Sequence, residues 1–524
     1  MLRSSSARFP LQIALDPAKA QPLQQQLYWS LRERILRGHL RAGLRLPSSR
    51  GLAGQLGIAR NTVTAAFEML VAEGYLVSRI GAGTFVAPHL PDIFLQPAAA
   101  TEPATRKRAA AARTSVSRGG RAHLRHWPGA DRGGQLAPRH LATLRLQPAP
   151  APLLPAGPAL EQFPVEQWGR LLSRCWRRGP LRLLASGHPQ GDPDLREAIA
   201  AYLGSARGVQ CEASQVVITS GSQQGLDLTA RVLLNPGEQA WVEDPGYWGA
   251  HSSLQGAGVQ AISVPVDKDG MDVPEALRRA PAARLALITP SHQFPLGITM
   301  SLPRRLQLLQ WAQETHGWVL EDDFDSEFRY SGRPLTALQG LDGEGRVLYL
   351  GTFSRVLFPA LRIGYLVLPP ELVKAFVAAR AAAGWQSAVL EQQVLARFIG
   401  EGHFGRHLRR MRALYAQRRE ALLQALAQLQ EWIEAPAPDC GLHAIGWLKS
   451  RAGRGRGKPA ESRLQTMQRA AGRCGYTLVS LARFCTGVQL PPALLLPFSA
   501  EDERTLRQRI RLLADELAHG RPPA

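Results

Sequence analysis

Three things are scarce in this chain, and each scarcity removes a class of function. Cysteine is one: Cys175, Cys211, Cys440, Cys474 and Cys485 are odd in number and scattered, with no Cys-x-x-Cys pair. Neither a disulfide framework nor a zinc knuckle is built that way, so a reducing cytoplasm is the expected compartment. Long apolar runs are missing too. The strongest, Leu490 to Phe498, is short and broken by proline. Met1 to Pro10 has arginines and serines where a secretory signal needs an apolar segment, so no export or membrane segment is expected. Lysine is the third: the basic charge rests on arginine, and the lysines are Lys19, Lys107, Lys268, Lys374, Lys449 and Lys458.

What is present has room for more than one core. A chain of 524 residues calls for at least two domains, one of them enzyme-sized. With 45% hydrophobic and 20% charged residues the profile is globular. The formal net charge of +21 favours a polyanionic partner, because cationic side chains on a phosphate backbone release counterions. An arginine-biased composition would give the same charge without such a partner. Three zones follow. Residues 1–87 are ordinary globular sequence. Residues 88–150 turn to Pro, Ala, Gly and Arg, including Arg106-Lys107-Arg108, Arg113, Arg118, Arg121 and Arg125, and read as a basic linker. Residues 151–524 alternate apolar strand-like runs with helical stretches.

In the first zone, Leu23, Leu27, Leu31 and Ile35 make a helical stripe over Pro22 to Arg37. Pro47-Ser48-Ser49-Arg50 supplies a stop and a cap, and Leu52, Ala53 and Leu56 form a short second helix closed by Gly57. A third helix begins near Arg60 with Val63, Phe67 and Leu70 inward, leaving Arg60, Asn61, Thr62 and Thr64 near its exposed start. That is what a recognition helix needs, since its first turn meets base edges and phosphates. Tyr75 to Arg79 and Gly83 to Val86 then predict a two-stranded wing. The segment from Leu44 through Val86 resembles the GntR family of winged helix-turn-helix regulators. The resemblance implies binding to a double-stranded DNA operator, with contacts from Arg50, Arg60, Asn61, Thr62 and Thr64, and Arg79 and Gly83 at the wing.

In the third zone the runs Val216–Thr219, Gln239–Val242, Leu285–Ile288, Trp318–Leu320 and Val347–Leu350 alternate with helical patterns, which argues for an α/β domain with a mainly parallel sheet. Ser220-Gly221-Ser222-Gln223 follows the first of these and precedes a helical pattern. It reads either as a phosphate cradle or as an ordinary turn. Tyr247 follows Pro245-Gly246 and reads as a stacking ring or as packing. Asp322, Asp323, Asp325 and Glu327 gather after an apolar strand, either to hold a protonated ring nitrogen or to hold a cation.

Taken in order, Phe163 to Trp168, Gly191 to Arg196, Thr219 to Gln224, Glu243 to Tyr247, Thr289 to Pro295, Glu321 to Asp325 and Gly351 to Arg355 resemble fold-type I aminotransferases. More specifically they resemble the MocR/GabR group, in which such a domain follows a GntR-type reader. The resemblance implies a pyridoxal 5'-phosphate pocket built from Ser220, Gly221, Ser222, Gln223, Tyr247, Asp322, Thr352, Ser354 and Arg362, and a homodimer. One position departs from it. Where the family has the lysine that forms the Schiff base with the cofactor aldehyde, this chain has Arg355. A guanidinium, with a pKa above about 12, cannot serve as that amine, but Arg355 could bind a phosphate or carboxylate of the ligand where the Schiff base would have been. Two further departures accompany it. Phe324 replaces a tyrosine, and Leu494 to Phe498 offers no arginine for an amino-acid carboxylate. The expectation is a transcription regulator and not an enzyme, with no catalytic residue and no metal. Its aminotransferase-like domain would sense a small anionic metabolite and dimerise. Pyridoxal 5'-phosphate would bind noncovalently, or another anionic ligand in its place. The alternative, an active aminotransferase with an appended DNA-binding domain, needs a lysine from elsewhere.

Overall fold

The computed structural model describes residues 23–36, 43–72, 76–79, 83–86, 157–178, 180–330, 335–450 and 460–519, with positions 13, 15, 16 and 40. The basic stretch 88–150 lies outside the described residues. Two compact units are present.

In the N-terminal unit, helix α1 (Leu23–Leu36) buries Leu27, Leu31 and Ile35, as the stripe predicts. Helix α2 (Ser49–Leu56) is capped by Ser48, whose hydroxyl accepts from the Gly51 amide at 3.1 Å. Gly57 closes it in the left-handed conformation, where a residue without a Cβ is least strained. Helix α3 (Arg60–Ala72) turns Val63, Phe67 and Leu70 into the shared core. Strands β1 (Leu76–Arg79) and β2 (Gly83–Val86) pair antiparallel as the expected wing. Beside the two-stranded wing lies an isolated β-bridge, Arg45 to Phe85, that the sequence did not suggest. The Leu46 amide donates to the Thr84 carbonyl at 2.9 Å and the Val86 amide to the Leu44 carbonyl at 2.8 Å, so residues ahead of α2 pair with β2. That segment has no long apolar alternation of its own, and the bridge depends on long-range pairing.

The C-terminal unit is built on an eight-stranded sheet. Its strands are β3 (Val216–Thr219), β4 (Gln239–Asp244), β5 (Gln260–Asp267), β6 (Gly270–Met271), β7 (Leu285–Ile288), β8 (Trp318–Asp323), β9 (Val347–Thr352) and β10 (Gly364–Val367), in the order β3-β10-β9-β8-β7-β4-β5-β6. The run from β9 to β5 is parallel, while β10 and the edge strand β6 are antiparallel to their neighbours. Helices on both faces explain why the strands are continuously apolar. Val216 and Ile218 enter one core while Val217 enters the other. The turn before the helix Pro193–Ala206 packs tightly against β3: a Cβ on Gly191, at φ +106°, would lie 2.2 Å from Ile218 Cγ1.

A second, antiparallel sheet has the order β11-β12-β14-β13, from β11 (Ile433–Glu434), β12 (His443–Leu448), β13 (Val479–Ser480) and β14 (Ala493–Pro497). Among the described residues no helix is long and apolar enough to cross a membrane.

Candidate functional site

Open α/β sheets place ligands at the carboxyl ends of their parallel strands, and the motif residues of the large unit converge there. Ser220 to Gln223 follow β3, Tyr247 follows β4, Asp322 lies near the end of β8, and Ser354 and Arg355 follow β9. The antiparallel β10 closes the arrangement. Gly364 is in register with both Thr219 and Thr352, which sets Arg362 beside the loops leaving β3 and β9.

Gly221, at φ +95°, caps the helix Ser222–Leu233. The first amides of a helix have no partner within it and carry the positive end of its dipole, so this turn suits an anion. Arg362 reaches across it: Nη2 donates to the Ser220 carbonyl at 3.1 Å and would lie 3.1 Å from a Cβ on Gly221. The Ser220 amide is already engaged, donating to Gln224 Oε1 at 2.8 Å, and the Ser220 hydroxyl pairs with that of Ser387 at 3.2 Å. The Gln223 amide is engaged within the protein. Its Nε2 donates to the Gly249 carbonyl and to Ser253, and its Oε1 accepts from the Tyr247 hydroxyl at 3.2 Å. It therefore orients Tyr247, whose phenol is pushed up by burial and by Asp322 and drawn down by Arg355 and Arg362.

Asp322 is the acid of this cluster that lines a cavity. Its Oδ1 is buried with no hydrogen-bond partner, and its carboxyl is pushed up to about 7, first by burial and then by Asp323, against the pull of Arg355. Beside it a cavity of about 20 Å³ is lined by Glu243, Tyr247, Thr289 and Asp322 together with aliphatic side chains. Glu243 accepts from the Thr289 amide at 3.1 Å and hydroxyl at 2.5 Å. Its other oxygen has no partner, and burial pushes it up to about 7.

The remaining acids are dispersed by specific partners. Asp323 accepts from the Tyr349 phenol at 2.5 Å, Asp325 pairs with the buried His292 at 2.7 Å, and Glu327 accepts from Tyr202 at 3.2 Å. No group of three metal-ligating side chains occurs among the described residues.

Arg355 acts electrostatically on Tyr247 and Asp322, and its guanidinium lies 5.7 Å from the centroid of the Phe324 ring. The Ser354 amide donates to Thr352 Oγ1 at 3.2 Å, and the Ser354 hydroxyl is buried with no partner. The described lysines, Lys268, Lys374 and Lys449, are all exposed. Leu494 to Leu496 are buried in β14, and Leu495 joins Phe294, Ile445, Leu481 and Phe484 in an apolar cluster against which Phe324 and Tyr247 pack. Glu243, Thr289 and Ser387 were not singled out from the sequence. Glu243 lies within the Glu243-to-Tyr247 motif and could have been read with it, whereas Ser387 lies in no motif.

In the N-terminal unit Arg50, Arg60 and Asn61 are exposed, and Thr62 and Thr64 are half-buried. The Thr64 hydroxyl donates to the Arg60 carbonyl at 3.0 Å, and Arg60 Nε donates to the Ser49 hydroxyl at 3.4 Å, linking the starts of α2 and α3. Arg79 and Gly83 are opposite each other in the wing register; only the backbone of Arg79 is described. Arg45, which the sequence reading passed over, is exposed, and its Nε would lie 3.2 Å from a Cβ on Gly83.

Residues 23–86 match the family "Bacterial regulatory proteins, gntR family", and residues 181–445 match "Aminotransferase class I and II". The chain is 38% identical to the "Probable rhizopine catabolism regulatory protein MocR" of Rhizobium meliloti, over 96% of this chain and 95% of that protein. It is 31% identical to the "HTH-type pyridoxine biosynthesis transcriptional regulator PdxR" of Corynebacterium glutamicum, over 97% and 99%. Among solved structures, a kynurenine aminotransferase of Pyrococcus horikoshii is similar with a TM-score of 0.63 and 30% identity, covering 74% of this chain and 95% of that one. The chain belongs to the MocR-type transcription regulators, in which a GntR helix-turn-helix domain is fused to an aminotransferase class I and II domain.

Proposed function

We propose that the aminotransferase-like domain of this regulator is a noncovalent sensor of an anionic ligand, with pyridoxal 5'-phosphate the leading candidate, and that it carries out no covalent cofactor chemistry. The observation that carries the proposal is Arg355 in the pocket, at the position of the family's amine, with the described lysines all exposed. The group would supply a phosphorylated pyridine ring and an aldehyde. The residues present suit the first and not a bond to the second. The amides at Ser222, the Ser222 hydroxyl and Arg362 would hold the phosphate. Asp322, whose buried Oδ1 has no partner, would take a protonated ring nitrogen, and Tyr247, fixed by Gln223, would stack. Thr352 and Ser354 add hydroxyls beside Arg355. That a relative is named as a regulator of pyridoxine biosynthesis supports this choice of ligand.

The reader, residues 1–87, would contact an operator through Arg50, Arg60, Asn61, Thr62 and Thr64, with Arg79 and Gly83 at the wing, joined by the linker 88–150 to the domain 151–524. A homodimer is the working assembly. Val165, Leu172, Trp176, Leu181 and Leu184 are exposed apolar side chains on consecutive helices, Val165–Arg178 and Pro180–Leu184, and support an interface there. Two readers would then meet two half-sites, and the compartment is the cytoplasm.

The test is reduction with borohydride after incubation with pyridoxal 5'-phosphate, read by intact mass and peptide mapping. Stabilisation by the ligand with no stoichiometric adduct is expected. A stoichiometric adduct at one lysine, prevented by competing phosphate before reduction, would favour the active-aminotransferase reading instead.

A further inference from the structure

We infer that Arg355 makes the pocket discriminate among forms of one phosphorylated pyridine ligand, accepting those that present oxygen to it and rejecting the form that presents an ammonium. The inference rests on the noncovalent reading above.

The chemistry starts from the side chain. A guanidinium donates hydrogen bonds, has no acceptor, and keeps its proton throughout the accessible pH range. A lysine in the same place could shed its proton or swing its single ammonium aside; an arginine can do neither as readily, and here it is held. Its guanidinium lies 5.7 Å from the Phe324 ring centroid, within cation–π range. Phe324 is itself held, stacked on His292 with 5.7 Å between centroids and 29° between planes. His292 is pinned by Asp325 at 2.7 Å, and the backbone closes on it: a Cβ on Gly441 would lie 2.0 Å from His292 Cε1. The cation is therefore mounted on a packed series of residues. Its charge is felt at Tyr247, Asp322 and His443, so it lies among the pocket groups and not outside them.

Phe324 carries no hydroxyl, so ligand oxygen near it meets the guanidinium as donor. Oxygen on the ligand gains charge-assisted hydrogen bonds there. An ammonium meets a like charge in a low-dielectric setting. Asp322 does not offset this. Asp322 would be engaged by the ring nitrogen, and in a pyridine the 4-substituent lies across the ring from that nitrogen, beyond reach of the same carboxyl.

Pyridoxal, pyridoxine and pyridoxamine 5'-phosphates share ring and phosphate and differ in that substituent, which is an aldehyde, a hydroxymethyl or a protonated aminomethyl group. Calorimetric titration of the full chain with each at neutral pH isolates it. The aldehyde and alcohol forms are expected to bind at least about tenfold more tightly than the amine form. Arg355→Gln should bring the alcohol-to-amine ratio close to one. Phe324→Leu, which keeps the charge and loosens its mount, should narrow the ratio part-way and serves if Arg355→Gln fails to fold. Equal affinity for all three forms, or an unchanged ratio in Arg355→Gln, overturns the inference. Binding of none of the three overturns the noncovalent reading itself, and the inference falls with it.

Discussion

Asp322→Asn should make the ligand-free protein more stable and a poorer sensor. Asp322 is a buried carboxyl whose Oδ1 has no partner, and burial with Asp323 pushes it from 3.8 up to about 7. Because its folded-state value is raised, the folded state holds the proton longer than the unfolded chain does. Stability is then lost as pH rises from the unfolded value through the folded one. At pH 8, where both states are largely ionised, the carboxylate costs about 4 kcal/mol; at pH 5, where only the unfolded state is ionised, about 2 kcal/mol. Asparagine removes both costs, so the variant should gain about 2 kcal/mol at pH 5 and about 4 kcal/mol at pH 8 in urea unfolding followed by tryptophan fluorescence. The same change should weaken binding of a protonated pyridine ligand by more than about tenfold, since a charge-assisted hydrogen bond is lost. A variant no more stable than the parent at pH 8, or a gain independent of pH, would refute the reasoning.

Three further outcomes follow from particular contacts. Arg60→Ala should weaken operator binding and lower the salt slope of log K by about one, measured by fluorescence anisotropy over a salt series, because an exposed cation leaves the start of α3. Gly191→Ala should cost about 2–4 kcal/mol in urea unfolding, since it adds a Cβ 2.2 Å from Ile218 at a positive φ. Asp325→Asn should cost about 3 kcal/mol, read in the same way, by leaving His292 buried without its ionic partner. Burial opposes the charge on that imidazole, yet Asp325 holds it well above its ordinary value.

Much of this was legible in the sequence because the features are local. The apolar runs became β3, β4, β7, β8 and β9, since strands buried on both faces need no partner to be recognised. Ser48 and Gly57 marked the ends of α2 because caps depend on single residues. What escaped depends on distant pairing. The bridge beside the wing forms only when Leu44 to Leu46 meet β2. The hydrogen bonds by which Tyr247, Gly249 and Ser253 engage the Gln223 amide join residues some 24 to 30 positions apart. The acidic cluster looked like one feature, yet Tyr349, His292 and Tyr202 each take one of its members and leave Asp322 to the pocket. No spacing rule separates the four.

The central claim is that occupancy of the aminotransferase-like pocket is felt by the DNA reader. Its most direct test is the affinity of the full chain for an operator selected from random DNA, measured with and without saturating pyridoxal 5'-phosphate, in the parent and in Arg355→Gln. The account predicts a change of at least about fivefold in the parent, the scale of ordinary allosteric coupling, and a much smaller one in the variant. Identical affinity with and without the ligand in the parent, despite demonstrated binding, would contradict it.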